Sequence, residues 1–219
     1  MMGNDWSGRE GVCKFQVSFE RRDDCLSADA IREIESWRRI LHRLQLIGQS
    51  VDRYGGYGYG NISRRYRRDG IDGFIVTGTQ TGGHPSLTTT HYALVTGWDP
   101  AANSVAARGA VPPSSEALTH GQIYRLDPEV QCVVHGHCPE IWERSDELGL
   151  LTTAPEALYG TVAMAAEVER LFYAARAVGS RVLVMGGHRD GVLSYGASPR
   201  QAVVALVETL ALALAWPND

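Results

Sequence analysis

"PEVQCVVHGHCPEIW", residues 128–142, sets two histidines one residue apart between two cysteines. Its centre, "QCVVHGH" (131–137), reads as a β-strand, and a strand sends successive side chains to opposite faces. Val133, His135 and His137 therefore share one face. Cys132, Val134, Gly136 and Cys138 share the other. Both histidines can reach one ion from such a strand, and the cysteines cannot join them. Gly136 removes bulk from the face opposite the pair. Two readings stay open: a metal site, or a buried strand with two satisfied histidines. The cysteines read most simply as small buried hydrophobes.

A catalytic metal site needs about three protein ligands and an open position, so the pair alone does not suffice. The other histidines are His42, His84, His91, His120 and His188. His188 follows "RVLVMGG" (181–187), at the end of a buried-strand pattern and beside two glycines that permit close approach. It equally fits a strand-end histidine with no role. His42 lies among arginines on a helical segment and reads as surface. His120 follows Glu116 by four residues and shares its helix face, either supporting a site or facing solvent. "PSSE" (113–116) sets two hydroxyls and an acid at a helix start, where free N–H groups and the dipole favour anions. Just as physically, Ser114 or Ser115 caps the helix and Glu116 steadies its first turn. The Gly-rich loops "GYGYGN" (56–61) and "TGTQTGG" (77–83) carry no P-loop or dinucleotide fingerprint. They read as turns, or as anion cradles of backbone N–H, Asn, Ser and Thr groups.

Around the histidine strand, extended and helical patterns are interspersed. "KFQVSFER" (14–21) puts Phe15, Val17 and Phe19 on one face, a half-buried strand. "LSADAIREIESWRRILHRLQLIG" (26–48) takes helical period, with Ser27 as cap, Ile31, Ile34, Trp37, Leu41 and Leu44 as stripe and Gly48 as stop. "NISRRY" (61–66), "GFIVTGT" (73–79), and the pair "HYALVTGWDP" (91–100) and "NSVAARG" (103–109) read as strands. Helices are expected over 112–128, 154–180 and 198–216, the last with Ser198 as cap, Pro199 at its first position and Ala202–Trp216 buried. "GVLSYG" (191–196) is a further strand. One layered α/β domain over residues 1–219 follows, with 1–11 a loose end.

Composition excludes several classes. The chain is 44% hydrophobic and 21% charged, with a net charge of −4. That gives no basic field for nucleic acid or a membrane surface. No apolar stretch reaches a membrane span and no leader pattern opens the chain. Four cysteines without a CxxC pattern fit a reduced, cytoplasmic protein. An all-β cupin, which HxH with Glu140 or Glu143 would suit, is excluded by the helical patterns.

"GYGNISRR" (58–65), "FIVTGTQTG" (74–82), residues 112–137, "LYGT" (158–161) and "VLVMGGHRDGVLSYG" (182–196) occur in an order that resembles the class II aldolase/adducin family, over about residues 31–210. The resemblance implies a three-layer α/β/α sandwich. It implies His135, His137 and His188 as ligands, normally for Zn²⁺ (another divalent metal being an alternative), with Glu116 as the acid/base. It implies Asn61, Thr79, Ser114 and Ser115 at the substrate phosphate, with backbone contacts from Gly78, Gln80 or Gly82. It further implies a homotetramer with sites between subunits, acting on a small sugar phosphate or keto acid. The expected reaction is zinc-dependent aldolase-type cleavage of a ketose through an enediolate. Epimerisation, dehydration and decarboxylation share that metal core in the family. The family tyrosine that donates a proton across the interface has no counterpart in the short segment after His137, and Tyr159 matches a different position. A non-catalytic adducin-like module would be expected to lose ligands, whereas this chain keeps three histidines and Glu116.

Overall fold

The computed structural model describes residues 13–68 and 70–216. The expected loose end at residues 1–11 lies outside them. The described elements are β1 (Gln16–Arg21), α1 (Ala28–Arg43), β2 (Gly48–Gln49), β3 (Gly58–Tyr59), β4 (Asn61–Arg68), β5 (Ile71–Thr77), β6 (Tyr92–Asp99) and β7 (Ser104–Gly109). They continue as α2 (Ala117–Leu126), β8 (Cys132–His137), α3 (Pro139–Glu143), β9 (Leu151–Thr152), α4 (Val162–Ala177), β10 (Val182–Val184), β11 (Gly191–Gly196) and α5 (Pro199–Ala215). The main sheet runs β1-β7-β6-β5-β4-β8-β11-β10-β9. Only its outer pairs, β1 with β7 and β10 with β9, are parallel. The histidine strand β8 sits between β4 and β11, antiparallel to both.

Alternation along the strands builds two cores, one per face. Phe74, Val95, Val133 and Leu193 pack under α2 and α4 through Leu118, Ile123, Val168 and Phe172. Ile62, Ile75, Leu94 and Val134 pack under α1, α3 and α5 through Ile34, Leu41, Ile141 and Leu206. Each such side chain contributes roughly 1.5–3 kcal/mol on burial. The result is the expected α/β/α sandwich. Cys132 and Cys138 lie in the second core, away from the histidines, as alternation required.

Caps mark the helix starts. Ser27 Oγ accepts from Ala30 N at 3.3 Å, and Ser198 Oγ accepts from Gln201 N at 3.1 Å. Four expectations need correction. The helix expected from residue 154 starts at Val162, where Thr161 Oγ1 accepts from Met164 N. The first helix ends at Arg43, and Gly48 pairs in β2 instead of stopping it. Val17 is exposed because β1 is an edge strand. The end of α5 is not buried: Leu212, Leu214 and Trp216 are all exposed. Among the described residues no helix is long and apolar enough to cross a membrane.

Candidate metal centre

The histidine face of β8 points into the first core layer. His135 and His137 are both buried, with their Nε2 atoms 3.1 Å apart. Two nitrogens bound tetrahedrally at ordinary zinc distances stand about 3.3 Å apart, so the pair is spaced for one ion. His135 Nδ1 is 3.2 Å from the carbonyl of Val192 on β11 and donates to it. That bond fixes the tautomer and leaves Nε2 with its lone pair. Burial, the largest cause, pushes both imidazoles well below the ordinary histidine range and keeps them neutral, as ligands must be.

The third histidine arrives from the adjoining turn. His188 N donates to Met185 O and its carbonyl accepts from Gly191 N, so the chain folds tightly from β10 into β11. The two preceding glycines permit this. A Cβ on Gly186 would lie 2.2 Å from Thr153 O, and one on Gly187 2.1 Å from Ala157 O. What approaches closely is therefore the backbone of residues 153–157. The His188 ring stacks on His135 at 4.9 Å and stands edge-on to His137 at 4.8 Å. One nitrogen from each histidine falls within a mutual 4.8 Å. This group is compatible with a divalent metal. His84 and His91 pair with each other elsewhere, and His42 is half-buried on α1.

Glu116 occupies the start of α2, with its own N–H and that of Ala117 both held. Ala117 N donates to Ser114 O, and Glu116 N donates to Ser114 Oγ at 3.3 Å. Ser114 thus holds the N–H groups that lead into the helix, in keeping with the capping reading, although the cap position itself falls on Glu116. Glu116 itself stands at the cap position but makes no side-chain cap bond. Its buried carboxylate instead lies 3.5 Å from His188 Nδ1. His120, one turn on, is fully buried and not solvent-facing. Its Nδ1 meets Ser63 Oγ at 2.7 Å, and that hydroxyl meets Tyr124 OH at 2.8 Å. Burial lowers the His120 pKa to about 3. It supports the layer beneath the ligands.

Asn61, Ser114 and Ser115, all buried, line a small depression with Gly60, Thr79 and Gly82. The four residues expected at a phosphate are thus brought together. Asn61 Oδ1 is buried there without a hydrogen-bond partner among the described residues; as an acceptor it suits a ligand hydroxyl, while the Asn61 Nδ2 group is the donor that a phosphate would need. The backbone N–H groups of Gly78 and Thr79 are already committed, to His91 O and Pro112 O. This argues against the expected contact from Gly78. The loop's far side is held by Arg38, fully buried on α1, whose Nη2 donates to Thr81 O at 3.1 Å and Gly82 O at 3.0 Å. Arg38→Met is expected to lower stability by about 2 kcal/mol, since two buried carbonyls lose a charged donor. An unchanged urea midpoint would refute that role.

A second cavity of about 370 Å³ opens beside His188, lined by Lys14, Tyr54, Leu158, Tyr159 and Arg189. The Tyr159 ring stacks on His188 at 4.5 Å. Tyr54 packs its ring against His137 at 4.5 Å, donates to Asp190 Oδ2 at 2.6 Å and accepts from Arg53 Nη2 at 2.7 Å. Burial and then the Asp190 carboxylate raise the Tyr54 pKa, so the hydroxyl stays protonated. Both partners hold positive φ, 51° at Tyr54 and 61° at Asp190. Such backbone is uncommon outside glycine and clusters at functional sites. Sequence reasoning did not single out Tyr54, Asp190 or Lys14. The "YGGYGYG" run (54–60) was the available signal, since its glycines bend the chain back over β8.

The family's sequence model for the Class II Aldolase and Adducin N-terminal domain matches residues 50–216. A methylthioribulose-1-phosphate dehydratase from Gluconacetobacter diazotrophicus is 32% identical over 105 residues, 47% of this chain and 47% of its own length. The chain thus spans about half the length of the curated relative it matches. L-fuculose-1-phosphate aldolase from Thermus thermophilus superposes with a TM-score of 0.59 at 18% identity, covering 88% of this chain and 100% of that one. A sugar-phosphate aldolase from Thermotoga maritima does so with a TM-score of 0.60 at 17% identity, covering 85% and 94%. At these identities the two structures speak for the fold. The family match, with the α/β/α architecture, decides membership: the chain belongs to the class II aldolase and adducin family.

Proposed function

We propose that this protein is a divalent-metal lyase acting on a small ketose 1-phosphate. His135, His137 and His188 hold the ion, which the three-nitrogen set suits best as Zn²⁺. The observation that carries the reading is the placement of buried Glu116 3.5 Å from His188, at the mouth of three buried histidines. A bound ion would supply Lewis acidity, offsetting negative charge that develops on a substrate carbonyl oxygen. Glu116 takes the proton from the carbon beside that carbonyl, and the electron pair moves towards the carbonyl oxygen. Asn61, Thr79, Ser114 and Ser115 hold the phosphate, and this remote binding orients the reacting carbons. Buried walls exclude water from the transferred proton.

Two reactions follow from these groups. In dehydration, the hydroxyl on the next carbon leaves as water, taking the proton that Glu116 holds. Retro-aldol cleavage uses the same groups from a different start: Glu116 takes a hydroxyl proton, the carbon–carbon bond breaks as that hydroxyl carbon becomes an aldehyde, the electron pair moves towards the ketone oxygen, and Glu116 returns the proton to the carbon beside that ketone. Dehydration stands first, because the curated relative at 32% identity is a dehydratase. A panel of pentose and hexose ketose 1-phosphates, incubated with zinc-loaded protein, distinguishes them. Mass loss of one water marks dehydration, and a new aldehyde marks cleavage. Zinc-loaded protein that neither transforms nor binds any panel member would sink the reading. The active species is a homo-oligomer, in keeping with the family resemblance, and four cysteines without a CxxC pattern support a cytoplasmic setting. Sedimentation tests the assembly.

A further inference from the structure

The chain contains 21 lysine and arginine residues, and only Lys14 is a lysine. That single lysine lines the cavity beside His188. Its Nζ atom is buried, 3.6 Å from the centre of the Tyr159 ring, whose face in turn stacks on His188. The position is set by structure on both sides. Lys14 O accepts from Asn103 Nδ2 at 2.9 Å, and Gln16 N donates to Asn103 O at 2.8 Å. Phe15, the next residue, is buried in the first core. The edge strand β1 thus delivers one ammonium beside the metal centre, from a segment preceding the family-matched residues.

We propose that Lys14 contacts substrate, its ammonium binding a hydroxyl or carbonyl oxygen on the carbons that extend beyond the metal, away from the phosphate. This rests on the function proposed above. The second cavity shares no lining residue with the Asn61 depression, so a substrate held at its phosphate directs its remaining carbons into separate space. Leu158, Tyr54 and Tyr159 give that space apolar walls, against which a compact cation is attracted to a ring face and to oxygen acceptors. An ammonium is a point charge with three rotatable donors, suited to sugar oxygens. A planar guanidinium serves carboxylate and phosphate better. Lys14 therefore selects ketose phosphates bearing oxygen on their distal carbons.

Two ligands separate this role from mere support of Tyr159. Phosphoglycolohydroxamate carries a phosphate and a metal-chelating group but no distal carbons. The ketose 1-phosphates carry all three. Both are titrated by calorimetry into zinc-loaded Glu116→Gln protein, in which turnover is slowed, with and without Lys14→Met or Lys14→Arg. Lys14→Met is expected to weaken the best-bound ketose phosphate about 10- to 100-fold, the scale of one charged hydrogen bond. Hydroxamate affinity and zinc content stay within about threefold on the same ground, and Lys14→Arg recovers part of the loss. Trinitrophenylation of Lys14, the sole ε-amine, is slowed by the ketose phosphate and not by the hydroxamate. Equal weakening of both ligands, or of neither, overturns the proposal. Hydroxamate binding without any ketose phosphate binding overturns it together with the ketose substrate class, and leaves only the metal and phosphate assignments standing. Failure of both ligands with Lys14 intact defeats that reading itself.

Discussion

Replacing Glu116 with glutamine is expected to leave zinc bound at wild-type stoichiometry while turnover falls by roughly 10²–10⁴-fold, the range for a lost general base. The amide matches the carboxylate in shape, so the start of α2, pinned by the Ser114 carbonyl and hydroxyl, has no reason to move. What disappears is the group that takes a proton in a pocket where Glu116 is 1% exposed and water cannot substitute. The effect should fall on kcat, because in the proposed role Glu116 moves the proton at the reacting centre and does not hold the phosphate. Activity is measured on whichever panel ketose the wild type transforms, with zinc assayed in parallel. Wild-type kcat in a zinc-replete Glu116→Gln protein would refute the assignment.

His135→Ala is expected to reduce bound zinc from about one ion per chain to near none, on the principle that a catalytic site stands on three protein ligands. The substitution also frees the Val192 carbonyl that His135 engages at 3.2 Å. The informative control is His120→Gln. His120 is as buried as the ligands and close beneath them, yet it lies outside the cluster of three. It should lose stability, through the Ser63 and Tyr124 hydrogen bonds, but retain zinc. Metal analysis after chelator treatment and reloading reads both variants. Equal zinc in His135→Ala and wild type would remove the basis for a metal centre here.

Much of the arrangement was legible in period and punctuation. Alternation in "CVVHGHC" separated histidines from cysteines, and the two cores keep them apart. Ser27 and Ser198 announced their helices because a hydroxyl before an amphipathic run has one favourable use. The "PSSE" segment was ambiguous because a cap and an acid at a site look identical in one dimension. Only the direction of the Glu116 side chain separates them. Tyr54 and Lys14 were hidden for a different reason. Each reaches the centre through a long-range pairing, Tyr54 with Asp190 and Lys14 with Asn103, which local pattern does not encode. The end of α5 was misjudged because apolar composition shows what a helix could bury, not what lies against it.

The register between β4 and β8 has a further consequence. Asn61 and His135 face each other across one rung of the sheet. With Asn61 at the phosphate and His135 at the ion, as proposed, the ladder acts as a gauge. Facing residues in antiparallel strands stand about 4.5–5.5 Å apart, and that interval does not adapt to a ligand. Substrates are thus measured from their phosphate end, and a sugar phosphorylated far from its carbonyl cannot satisfy both stops. Nor can the gauge be reset by small steps, because a slip of one residue would turn both histidines into the opposite core. On the proposed assignment, variation among substrates is therefore confined to the end that the ladder does not measure.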